Sequence, residues 1–106
     1  MKFVGIWSLR PDMYQSATAR FLENGGKPPE GIHTIGRWHY ADASGGVFVF
    51  ECDNAQVLTE FMHEWADVLE LEVHPVVEDA EAGAAMAKHP SRSPQIRGSV
   101  VPPIPL

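Results

Sequence analysis

Apolar and polar positions alternate along four stretches of this chain and recur at helical spacing along three others. From Lys2 to Leu9 the pattern is that of a strand, with Val4, Ile6 and Ser8 on one face and Phe3, Gly5, Trp7 and Leu9 on the other, because successive side chains of an extended backbone point to opposite sides. Arg10-Pro11-Asp12 opens a helix, Pro11 suiting the first turn and Asp12 the positive end of the dipole. Tyr14, Ala17, Thr18, Phe21 and Leu22 form the apolar stripe of that helix, and Gly25-Gly26 ends it. Ile32 to Tyr40 is the second strand, rich in residues that favour a pleated surface. Strict alternation gives it one face of Ile32, Thr34, Gly36, Trp38 and Tyr40, and another of His33, Ile35, Arg37 and His39.

A short Gly-rich connection, Ala41 to Gly46, leads into the third strand, Val47 to Cys52, so these two strands form an antiparallel hairpin. Asp53 is the expected N-cap of a second helix, whose stripe is Val57, Leu58, Phe61, Met62 and Trp65. The fourth strand runs from Leu69 to about Val77 and contains Pro75, which cannot donate to a ladder and so belongs at a sheet edge. A short Ala-rich helix then runs from Glu78 or Asp79 to Lys88, and Pro90 stops it. Residues 1–89 thus make one domain. Residues 90–106 make a Pro-rich tail without periodicity, read as an extended segment that is either loose or laid along a groove of its own or a neighbouring subunit.

Strand, helix, strand, strand, helix, strand is two βαβ units. Right-handed crossovers carry both helices to one face of an antiparallel sheet, the ferredoxin-like α+β sandwich, here with an extra C-terminal helix and an extended tail. Val4, Ile6, Ile32, Trp38, Phe48, Phe50, Leu71 and Val73 make a coherent covered face. The opposite face then receives Phe3, Trp7, His33, Ile35, Arg37, His39, Val47, Val49, Glu51, Glu70, Glu72 and His74. A bulge in the first or second strand would exchange Trp7 or Trp38 between faces. So much apolar area is not expected to stay wet, and a second copy packed sheet to sheet would close a dimeric α/β barrel.

Composition narrows the partners. The chain has 106 residues, with 14 acidic against 8 basic residues and a net charge of -6, which disfavours nucleic acid and anionic membranes, since both need clustered Lys and Arg. Cys52 is the one cysteine, so no internal disulfide or Cys-based metal knuckle is available. The N-terminus has no signal-peptide pattern and no apolar run reaches a membrane span. A cytoplasmic protein is the expectation.

Trp7 with Arg10-Pro11, Arg20-Phe21-Leu22-Glu23, Gly25-Gly26, Pro28-Pro29-Glu30-Gly31, Gly36-Arg37-Trp38-His39, Ser44-Gly45-Gly46 and Pro75-Val76-Val77 occur in an order and spacing that resembles a family of small bacterial domains of unknown function. That family is similar to the GYD-type domains of the dimeric α/β-barrel superfamily. The resemblance covers residues 1–88 and implies the fold and the dimer, but no catalytic residue. The wider superfamily includes cofactor-independent monooxygenases, haem-degrading enzymes, isomerases and cyclases, which is an analogy of fold alone.

The candidate chemistry lies on the expected bare face. Arg37 and His39 share a face of one strand. Glu51 can oppose them across the hairpin, and Glu72 and His74 can join from the fourth strand. As an acid–base set, His39 or His74 is the base, Arg37 holds an enolate or carboxylate, and Glu51 fixes a His tautomer. The same groups can instead form a salt-bridge network that sets dimer register. Phe3, Trp7, Ile35, Val49 and Glu72 are the expected substrate wall. His39, His74 and a Glu lack helical metal-ligand spacing, so neither a metal nor another cofactor is expected. Three functions follow: a small-molecule enzyme or accessory enzyme of the cofactor-independent oxygenase, isomerase or cyclase type; a non-catalytic ligand-binding or regulatory dimer; and a structural partner working through its Pro-rich tail. The expected partners are a second copy and a small apolar or aromatic ligand.

Overall fold

A computed structural model describes residues 1–89; the tail expected over 90–106 lies outside the described residues. The chain runs β1 (Lys2–Leu9), α1 (Tyr14–Asn24), β2 (Ile32–His39), β3 (Gly45–Cys52), α2 (Ala55–Trp65), β4 (Leu69–Val76) and α3 (Asp79–Lys88). The four strands form one antiparallel sheet in the order β2-β3-β1-β4, and the architecture is ferredoxin-like α+β. Pro75 is tolerated because β4 is an edge strand, paired with β1 alone. Met1–Val76 is one compact unit and a second begins at Val77. Within the second unit, α3 starts on a reciprocal capping box between Glu78 and Glu81 and has no buried residue. No helix among the described residues is long and apolar enough to cross a membrane.

The helix starts differ from expectation. Pro11 and Asp12 do not begin α1. They occupy a tight turn closed by Met13 N–H donating to Arg10 C=O at 3.0 Å, with Asp12 at φ 62°, a left-handed value that Asp tolerates. In α2 the cap is Asn54, whose side chain accepts from the N–H groups of Gln56 and Val57. Asp53 instead accepts from the N-terminal amine of Met1 at 2.6 Å. That contact holds the Asp53 carboxyl below its usual range and the amine above its own.

Two strands turn their faces the other way from the expected assignment. In β1, Phe3 pairs with Phe50, Gly5 with Phe48 and Trp7 with Gly46, so Phe3, Trp7 and Leu9 lie under the helices while Val4 and Ile6 face away. The larger side chains take the covered side, where Phe3 stacks on Phe50 (5.5 Å) and Phe50 on Phe48 (4.9 Å). In β2, Thr34 pairs with Phe50 but Gly36 pairs with Val49, leaving Ile35 as a bulge. The extra residue reverses the alternation beyond it. Arg37, opposite Phe48, and His39, opposite Gly46, therefore point under the helices, and Trp38, opposite Val47, points out.

The helices close this face with Ala17 from α1 and Phe61 and Trp65 from α2, around a fully buried Phe50. Phe61 meets Phe48 edge to face at 6.0 Å. The stripe of α1 is narrower than expected, since Tyr14 and Leu22 are exposed. Arg20 ties α1 to the end of α2 through a two-pronged ion pair with Asp67, a bond to the Glu64 carbonyl and a stack on Trp65.

Candidate functional site

A cavity of about 340 Å³ lies between the helices and the covered face. That is at the low end of the range for small-molecule sites, about 300–1,000 Å³. Phe48, Phe50 and Trp7 form its floor on the sheet, and Tyr14, Phe21, Phe61, Met62 and Trp65 its helical walls. Most of the wall is apolar. The polar exceptions include Arg37 and His39, and no Asp or Glu among the described residues lines it.

Arg37 owes its place to the bulge and to the end of α1. Gly25 caps that helix at φ 71°, and Gly26 follows at φ 60°, conformations that favour glycine. Both carbonyls point at Arg37, whose guanidinium donates to Gly26 C=O at 2.7 Å and to Gly25 C=O at 2.9 Å. A cation is favourable at this negative end of the helix. A side chain at position 26 would collide with both Phe21 and the guanidinium. The guanidinium also lies against the rings of Phe21 and Phe48, at 5.4 and 5.6 Å from their centroids. Arg37 forms no ion pair with a carboxylate among the described residues. Partial burial lowers its pKa from the ordinary guanidinium value, as expected for a charge partly stripped of water.

His39 sits beside it at the exposed rim, edge-on to Trp7 at 5.3 Å and to Phe21 at 5.2 Å. It makes no hydrogen bond to the described residues, so its ring nitrogens are open to a ligand or to water. Trp7 can lie flat here because Gly46 has no side chain; a Cβ at that position would run into the Trp7 ring and the Trp38 carbonyl. The hairpin that closes this side turns through Tyr40 and Ala43, and Ala43 takes φ 67°.

The expected acid–base set is split between two faces. Arg37 and His39 come together with Trp7 in the cavity. Phe3 shares that covered face and stacks on Phe50. Glu51, Glu72, His74 and Val49 lie on the far face, in register with Lys2, Ile6 and Val4 of β1, and Ile35 is the bulge residue, 47% exposed. Glu51 therefore cannot orient His39, and His74 is paired with Glu72 at 2.5 Å instead. No group of three or more potential metal ligands occurs among the described residues. The alternation pattern left out Phe21, Tyr14 and Met62 as site residues, because their helical spacing reads equally well as core. Gly36, beside Ile35, was the one local signal of a bulge in β2.

The chain belongs to a family of proteins with a domain of unknown function (DUF3303), whose model matches residues 1–90. No curated protein and no solved structure matches the chain.

Proposed function

We propose that this domain is a small-molecule enzyme or accessory enzyme of the isomerase or cyclase type, working in the cavity under α1 and α2. The observation that carries this reading is Arg37, a half-buried cation without a carboxylate partner among the described residues, opening with His39 onto an apolar cavity. Arg37 stabilises negative charge on the bound molecule, and His39 is the general base that removes a proton and returns it elsewhere on the same molecule. The reaction then needs no external oxidant or reductant. A non-catalytic binding protein is the second reading. It is favoured by the lack of a carboxylate to orient the His39 ring, since a base fixed by a third group is the commoner catalytic arrangement.

The working form is a homodimer through the bare sheet face, in the manner of the GYD-like dimeric barrels and in a bacterial cytoplasm. Val4, Ile6, Val47 and Val49 are only half-buried there, and Trp38 is 59% exposed, an apolar patch of the kind that marks an interface. Sedimentation should give a dimer mass for the native chain and a folded monomer for Trp38→Glu; a native monomer at micromolar concentration overturns the dimer.

The cavity is tested by native mass spectrometry of the protein as purified, and by NMR with a panel of small apolar compounds including indole. Binding that shifts Trp7 and His39 resonances supports the site, and no binding by any compound overturns it. With a bound substrate found, His39→Gln should keep binding and lose turnover. Equal turnover in that variant would leave the binding-protein reading.

A further inference from the structure

Arg37 constrains the charge and the chemical class of a ligand in the cavity. Its fork spends one N–H on each of the Gly25 and Gly26 carbonyls. A guanidinium carries more N–H donors than these two bonds use, and the others have no acceptor among the described residues. Its carbon lies over the rings of Phe21 and Phe48, 5.4 and 5.6 Å from their centroids, and the remaining N–H groups point outward in the plane of the fork, so an acceptor must approach in that plane. In-plane, paired acceptance is what a carboxylate or a phosphate offers.

The rest of the wall sets the number of charges. Among the described residues no other Arg and no Lys lines the cavity, and the chain as a whole is acidic at -6. A second negative charge would enter an apolar space without a partner, which costs several kcal/mol in typical cases. A phosphate monoester, carrying about -1.5 to -2 at neutral pH, is thereby disfavoured relative to a single carboxylate. A neutral ligand fits no better, because it leaves the partly desolvated guanidinium uncompensated. The body of the ligand meets Trp7, Phe61 and Trp65, which suit a flat ring or a compact hydrocarbon.

We infer that the cavity takes a monocarboxylate with an apolar body of about one or two rings, its carboxylate held in the plane of Arg37. This rests on the reading of the cavity as a small-molecule site. The carboxylate fixes the molecule while His39, on the same strand face, reaches the carbon skeleton beside it.

The test compares charged and neutral twins on the full chain at pH 7: phenylacetate against phenylacetamide, indole-3-acetate against indole-3-acetamide, with phenyl phosphate as the dianion and indole as the uncharged body. Binding is followed by titration with NMR detection of the Arg37 Nε–H and the Trp7 indole N–H. The expected result is at least tenfold tighter binding of each acid than of its amide, movement of the Arg37 Nε–H signal on titration with the acids, and phenyl phosphate no tighter than the amides. Arg37→Gln should abolish the preference while indole still binds. If that variant unfolds, the acid–amide ratio and the Arg37 signal in the native chain decide alone. Acids and amides binding equally, or phenyl phosphate binding tightest, overturns the inference and leaves the cavity reading standing. Indole binding while the acids do not has the same meaning. No binding by any probe overturns both.

Discussion

Deleting Ile35 tests the bulge that places the candidate site. Thr34 pairs with Phe50 and Gly36 with Val49, neighbouring positions on β3, so Ile35 is the surplus residue. Its removal would make the two pairs consecutive without moving either. Ile32 and Thr34 would stay under the helices, and so would Arg37 and His39. The cost is the burial of one side chain that is already 47% exposed. Full burial of Ile is worth about 1.5–3 kcal/mol, so the loss should be about 1 kcal/mol. In an unbulged strand the same deletion would invert everything on one side of the cut. Ile32, 8% exposed, would leave the core and His33 would enter it, or Arg37 would leave its carbonyls. Lost apolar burial of about 2 kcal/mol and an unsatisfied polar group at about 1–3 kcal/mol would then add to roughly 3–5 kcal/mol. Urea unfolding at two protein concentrations separates the two cases, and NMR contacts from His39 to Trp7 and Phe21 report the face directly. A loss above about 3 kcal/mol, or disappearance of those contacts from a folded variant, refutes the bulge argument.

Phe61→Ala should cost about 3–5 kcal/mol in urea unfolding, the usual range for a buried aromatic, because Phe61 is 5% exposed and packs on Phe48. Gly46→Ala should displace Trp7 from the cavity floor and shift its fluorescence, while Gly83→Ala, where a Cβ meets nothing, should leave stability the same or raise it. Arg20 holds the Asp67 carboxyl below its usual value of 3.8 through their hydrogen bond. The stability that Asp67 contributes is therefore fully present above that pH and lost as pH falls through the lower folded value. The difference between the native chain and Asp67→Asn should shrink on acidification, and a difference that grows would contradict the pair.

The order of elements was legible because each rests on local chemistry. Phe48, Phe50 and Cys52 fall on the covered side by simple alternation, and so do Leu71 and Val73. Gly25-Gly26 stops α1, and Pro75 marks the edge strand. The faces of β1 and of the second half of β2 were not legible in the same way. In β1 both faces are apolar, Val4 and Ile6 against Phe3 and Trp7, so periodicity gives no preference and the choice falls to which set fits under the helices. In β2 the period itself changes at Ile35, and a single sequence shows only that a glycine follows. Asp53 and Asn54 are adjacent residues of capping type, so composition alone does not separate them; Asn54 makes the cap and Asp53 accepts from the Met1 amine.

Arg37 shows why counting charge by face misleads. An isolated cation is expensive under a layer of helices, and on that ground alone the guanidinium belongs on the open side of the sheet. The cost falls when the burial is partial and the acceptors are already in place. The last carbonyls of α1 have no partner within the helix, they carry the negative end of its dipole, and Gly25 and Gly26 turn them toward β2. The helix end needs donors as much as the guanidinium needs acceptors, and the rings of Phe21 and Phe48 favour a cation over their faces. The two requirements are met by one contact that neutralises no charge. The positive charge is therefore anchored without an ion pair to a carboxylate among the described residues, which is the property the proposed anion site depends on.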